Sequence, residues 1–98
     1  MNLKSVDILQ SERFIFDCYM HPERQEYYVI VYDRQKPLPT SIGIAPDLDK
    51  ALTLRVFREA ENATLETLRE FCQRFIDDTP FRITWIRHKH QERSKDMT

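Results

Sequence analysis

The sequence predicts an α+β domain in two layers, with an antiparallel-rich sheet of about five strands and one long helix on one face. Two observations support this fold class. Several short segments alternate apolar and polar residues with the period of two that is typical of half-buried strands. Residues 64–78 instead repeat their apolar residues at three- and four-residue spacing, which is typical of an amphipathic helix. The predicted order is β-β-β-β-α-β.

The first two main strands are predicted to form a hairpin. Residues 12–20 carry apolar side chains at every second position, and residues 26–33 contain an unbroken run of β-forming side chains. The polar segment between them contains Pro22 and predicts the turn. Residues 6–9 are a candidate for a further short edge strand.

Two more strands are predicted in the middle of the chain. Residues 41–45 form a short strand after a loop that contains two prolines. Residues 51–58 are ambiguous, because they contain no helix breaker. We predict a strand there and keep a helix as the alternative, since the apolar residues share one face only on a strand. These residues are Leu52, Leu54 and Val56.

The helix of residues 64–78 has recognisable ends. Asn62 or Thr64 can cap its N-terminus, Glu66 lies in the first turn where the helix dipole favours an anion, and Pro80 ends it. Its apolar stripe contains Leu65, Leu68, Phe71, Cys72, Phe75 and Ile76.

The last predicted strand follows the helix. Residues 81–88 place Phe81, Ile83 and Trp85 on one face and Arg82, Thr84 and Ile86 on the other. The polar residues 90–98 predict a flexible tail. Without a repeat or linker, residues 1–98 are expected to form a single domain.

Composition argues against several classes of protein. The formal net charge is −1, whereas nucleic-acid binders usually carry a basic excess. A single glycine argues against the glycine-rich loops that bind phosphates or dinucleotides, so no cofactor is expected. The absence of a signal-like or membrane-spanning apolar run predicts a cytoplasmic protein.

No group of residues has the spacing of a catalytic or metal site. Cys18 and Cys72 each lie in an apolar pattern, which favours core packing over a nucleophilic role. His88 and His90 are two residues apart and, with His21, make a weak metal-binding pattern that fits a solvated tail better. We therefore predict no catalytic or metal-binding residues and a protein that is not an enzyme.

The most informative feature is a surplus of apolar surface. One helix can cover only one face of the sheet, to which we assign Phe14, Phe16, Val29, Val31, Leu52, Leu54, Val56, Ile83 and Trp85. The opposite face would then be open and would mix aromatic residues with arginine, as protein interfaces do. The predicted partner-binding residues are Tyr28, Ile30, Tyr32, Arg55, Phe57, Arg82 and Ile86.

These observations predict a non-enzymatic protein-binding or regulatory module, of the adaptor, inhibitor or immunity type. It would bind another protein or a second copy of itself as a homodimer through the open face. The alternative is a nucleic-acid-associated protein that uses the same face together with a basic C-terminal strip, and a small enzyme is the third hypothesis. The residues of this strip are Arg82, Arg87, Lys89, Arg93 and Lys95.

Overall fold

The computed structural model describes residues 4–6, 9–39 and 48–96. Within them the chain forms a four-stranded antiparallel sheet in the order β1-β2-β3-β4, a 3-10 turn and two helices. The elements are β1 (Lys4–Val6), β2 (Phe14–His21), β3 (Glu26–Asp33), β4 (Thr53–Arg58), the 3-10 turn (Glu59–Glu61), α1 (Leu65–Asp77) and α2 (Thr79–Asp96). The predicted α+β class is confirmed.

The hairpin of β2 and β3 is the centre of the sheet. All eight residues of each strand are paired, from Phe14 opposite Asp33 to His21 opposite Glu26, and the four-residue turn 22–25 joins them. The segment 51–58 is a strand, as predicted, and β4 pairs with β3. Of the edge strand predicted at 6–9, Val6 belongs to β1, whereas positions 7–8 and the strand predicted at 41–45 lie outside the described residues.

Helix α1 confirms the predicted helix almost residue for residue. Thr64 caps it by a reciprocal capping box, because its hydroxyl accepts from the Thr67 N–H and the Thr67 hydroxyl accepts from the Thr64 N–H. The buried residues of α1 are Leu68, Phe71, Cys72 and Phe75, all of them in the predicted stripe.

The strand predicted at 81–88 is wrong, since these residues belong to α2. Asp78 accepts a hydrogen bond from the Phe81 N–H at 3.1 Å and starts the new helix. Pro80 lies in the first turn of α2, where its missing N–H needs no partner, so it begins a helix rather than only ending one. The described residues contain two α-helices instead of the one predicted, and the backbone stays helical to residue 96, through most of the predicted tail.

The pairing of β3 with β4 corrects the predicted assignment of faces. Val31 lies opposite Thr53, and Ile30 lies opposite Leu54, so Leu54 is on the side away from the helices. Arg55 and Phe57 are on the helix side, the reverse of the prediction. The prediction assigned the wrong set of alternate β4 residues to the helix side. A shift of one residue is enough for this, because it moves every side chain of a strand to the other face.

The sheet face away from the helices is not open. Tyr32 is 0% exposed and Ile30 is 2% exposed, in a second apolar cluster with Tyr19 and Ala51. Leu38 from the loop after β3 packs against the same cluster. The open aromatic face of the prediction is therefore largely interior.

Candidate functional site

A cleft of about 300 Å3 opens between α1, α2 and β4 on the helix side of the sheet. We call it the aromatic cleft. Two arginines, one carboxylate and four aromatic rings line it, namely Arg55, Arg74, Glu70, Phe57, Phe71, Phe81 and Trp85. Its volume is at the lower end of the range for small-molecule sites.

Aromatic rings form the floor and one wall of the cleft. The Phe71 ring is 5.7 Å from Phe57, 5.6 Å from Phe81 and 5.5 Å from Trp85, measured between centroids. All three contacts are edge-to-face, the arrangement that aromatic quadrupoles favour. Phe71 is buried, whereas Phe81 and Trp85 are only half-buried.

Two guanidinium groups flank these rings. Arg55 lies over Phe57 at 4.6 Å and over Trp85 at 5.2 Å, and its Nη1 donates to the Val56 carbonyl. Arg74 lies over Phe81 at 4.3 Å. The hydrogen bond helps to hold Arg55, whereas Arg74 is exposed and also pairs with Asp78, whose carboxylate lies 3.4 Å from its Nε. Both guanidinium groups place positive charge beside the aromatic rings.

Buried hydrogen bonds fix the position of α2 and hence of the cleft. The Thr53 hydroxyl, on β4, donates to the Trp85 carbonyl at 3.0 Å. Arg82 donates from Nε to the Phe75 carbonyl at 2.9 Å and from Nη2 to the Ile76 carbonyl at 2.7 Å. These carbonyls belong to the last turn of α1, where helical partners are missing, so Arg82 fastens α2 to the end of α1.

The structure separates the seven predicted partner-binding residues into three groups. Tyr28, Ile30 and Tyr32 lie on the sheet face away from the helices. Arg55 and Phe57 line the aromatic cleft, while Arg82 and Ile86 line a different cavity on the other side of α2. They do not form one surface, and the identity of any macromolecular partner stays a prediction.

The cysteines and histidines are likewise separated. Cys18 and Cys72 lie in the core, 1% and 0% exposed, and the Cys18 thiol donates to the Phe16 carbonyl. His21 is buried on β2, whereas the exposed His88 contacts Trp85 on α2. In the described part of the chain, no three side chains from His, Cys, Asp and Glu come together to hold a metal ion.

Sequence reasoning missed the aromatic cleft because it read α2 as a strand. The predicted strand puts Phe81 and Trp85 on the face of the sheet that the helix covers. The available signal was the four-residue spacing of Phe81 and Trp85 directly after Asp78 and Pro80, which a capped helix also explains.

Neither α1 nor α2 has the length and apolar content that crossing a membrane would need.

Comparison with known proteins gives one informative relative. No protein-family model matches the chain, and no solved structure matches it. The chain is 28% identical over 101 residues to a protein of Photobacterium leiognathi named probable flavin reductase, an alignment that covers 92% of the chain and 43% of the relative. The chain thus spans less than half the length of that relative. The similarity contradicts both the predicted non-enzymatic regulatory module and the prediction that the chain is not an enzyme.

Proposed function

We propose that this chain takes part in flavin reduction and that the aromatic cleft binds the flavin ring system. Two independent observations support the proposal. The similar protein of Photobacterium leiognathi is named probable flavin reductase, and the cleft combines half-buried aromatic rings with two arginines. The observation that carries most weight is the pair of guanidinium groups beside Phe81 and Trp85.

The residues of the cleft fit the chemistry of a flavin. Its isoalloxazine ring is planar and aromatic, so Trp85 and Phe81 offer matching surfaces for stacking. Its pyrimidine edge carries carbonyl and nitrogen acceptors, for which the arginines supply N–H donors. When bound, a flavin accepts two electrons and becomes more negative at that edge. Positive charge from Arg55 and Arg74 would favour the reduced form, since nearby charge tunes flavin electronics.

The proposal is limited to the part of the reaction that these residues can support. The chain covers 43% of the relative, and its single glycine argues against a glycine-rich dinucleotide loop of its own. We therefore assign flavin binding to this chain and supply the electron donor, NADH or NADPH, in the assay.

The single tryptophan of the chain makes the binding test specific. Because Trp85 lines the cleft, binding of a flavin there should quench the fluorescence of the flavin and the emission of Trp85. Both signals should change with the same midpoint concentration. We expect saturable quenching by riboflavin or flavin mononucleotide at concentrations below about 1 mM, the upper end of ordinary Michaelis constants. Flavin quenching without a tryptophan response would place the ligand elsewhere and contradict the site.

Charge-removing variants test the role of the arginines. Arg55→Gln should weaken flavin binding by about tenfold, the loss expected from one hydrogen bond to a charged group. Arg69→Gln is the matched control, because Arg69 is an exposed α1 residue paired with Glu66 outside the cleft. Equal effects of the two variants would argue against the cleft. Binding without consumption of NADH or NADPH would contradict the reductase part of the proposal.

We also propose a cytoplasmic location. Cys18 and Cys72 are both buried and form no disulfide with each other, which supports a reducing compartment. Recovery of the native chain with Cys18 linked to another thiol would contradict it.

A further inference from the structure

A second cavity lies on the other side of α2 from the aromatic cleft. It has a volume of about 300 Å3 and is bounded by the start of β2, the end of β3, the segment before β4 and the middle of α2. Residues of α2 line both sites. Phe81 and Trp85 line the cleft, whereas Arg82 and Ile86 line this cavity. We call it the basic cavity.

Cationic groups outnumber anionic groups around the basic cavity. Four cations and two carboxylates line it, so its formal charge is positive. The cations are Arg13, Lys36, Lys50 and Arg82, and the carboxylates are Asp33 and Asp49. This local excess contrasts with the net charge of −1 for the whole chain.

The two arginines are held in place by the same ring. Arg13 and Arg82 each lie 5.0 Å from the centroid of Phe14, which is itself buried. The two bonds from Arg82 to the end of α1 use two of the five N–H donors of a guanidinium. Because these two bonds hold Arg82 before any ligand arrives, little of its side-chain entropy would be lost on binding.

The two carboxylates offset only part of the charge of the four cations. Asp33 is buried and already has partners, since Arg13 lies 3.9 Å away and the Gln35 N–H donates to it at 2.9 Å. Lys50 donates to the Leu38 carbonyl, which leaves its charge intact. Among the described residues Lys36 forms no ion pair. The two lysines thus bring positive charge to a cavity whose arginines are already anchored.

We infer that the basic cavity binds the phosphate group of a small phosphorylated ligand. Phosphate accepts several hydrogen bonds and matches both guanidinium forks and ammonium point charges. The cavity is separate from the aromatic cleft, so this ligand can bind beside a flavin. Two sources share this chemistry, a free inorganic anion and the phosphate group of a nucleotide.

Calorimetric titration of the full chain with inorganic pyrophosphate tests the inference. We expect saturable binding that weakens as salt rises, because exposed lysines contribute to it. The double variant Lys36→Gln with Lys50→Gln should bind about tenfold or more weakly, the effect of losing charged hydrogen bonds. Both lysines are exposed, so the variant should keep the melting temperature of the wild type.

A matched control removes two charges elsewhere. Arg24 and Arg69 are exposed and lie outside the cavity, so Arg24→Gln with Arg69→Gln should weaken binding less than about twofold by long-range electrostatics alone. Equal losses in the two double variants would overturn the inference, as would the absence of saturation by pyrophosphate. Tighter binding of ADP than of pyrophosphate would identify a nucleotide as the source, and the reverse order a free anion.

Competition separates this inference from the proposed function. Riboflavin carries no phosphate, so it should leave pyrophosphate binding unchanged, and so should Arg55→Gln in the aromatic cleft. Displacement of pyrophosphate by riboflavin would merge the two sites and overturn the inference. A failure of flavin binding would leave the pyrophosphate result standing.

Discussion

Thr53 shows how a single buried polar residue positions a helix. Its side chain is 1% exposed in a strand, and its hydroxyl reaches the Trp85 carbonyl at 3.0 Å. A hydroxyl buried without a partner would be costly, so this bond satisfies the group and sets the height of α2 over the sheet. The bond connects the sheet directly to the residue that lines the aromatic cleft.

Removing that hydroxyl should loosen the cleft without emptying the core. Thr53→Val keeps the shape of the side chain, and we expect a loss of about 0.5–1.5 kcal/mol in the free energy of unfolding, the net value of one hydrogen bond. Urea melts followed by Trp85 emission measure it. Thr84→Val is the control, since the Thr84 hydroxyl donates only within α2 and is exposed, and its loss should stay under about 0.5 kcal/mol. A greater loss for Thr84→Val would contradict the account.

Among the elements, α1 packs against the rest of the fold through a single apolar stripe, which contains Leu68, Phe71, Cys72 and Phe75. Phe71 contacts rings from β4, α1 and α2, so its removal should open a cavity that no neighbour can fill. We expect Phe71→Ala to lower the free energy of unfolding by about 3–5 kcal/mol and the exposed Glu70→Ala by under about 0.5 kcal/mol. Denaturant melts that show similar losses would mean that the stripe does not face the core.

Helix α1 could be predicted from the sequence, whereas α2 and the orientation of β4 could not. The apolar stripe of α1 and the capping residue Thr64 indicate the same helix, and the structure confirms the helix predicted there. In 81–88, Phe81 and Trp85 are four apart and share a face on both a helix and a strand, because four is even and also close to one helical turn. Ile83 distinguishes the two, and it is 42% exposed. The sequence also did not determine which face of β4 turns toward the helices, because both faces carry apolar residues. The residues that line the cleft could therefore not be brought together by prediction.

For the whole molecule, two apolar clusters on opposite faces of one sheet replace the single core of the prediction. The helix-side cluster contains Phe14, Val29 and Phe75, while Ile30 and Tyr32 belong to the other. Polar groups within the second face are also paired, since the Tyr19 hydroxyl donates to the buried Asp17 carboxylate at 2.7 Å. An aromatic sheet face is therefore not by itself a sign of a binding surface in a chain of this size.

A charge on the second face tests this architecture. Ile30 is 2% exposed at the centre of the sheet, so Ile30→Glu would bury a carboxylate without a partner. We expect a loss of more than about 4 kcal/mol, which is enough to unfold many domains. Ile30→Ala keeps the experiment measurable and should cost about 2–4 kcal/mol, whereas Leu48→Glu, at a 48% exposed position, should cost under about 0.5 kcal/mol. An Ile30→Glu chain that melts like the wild type would show that this face is exposed in solution, and the two-cluster description would then be wrong.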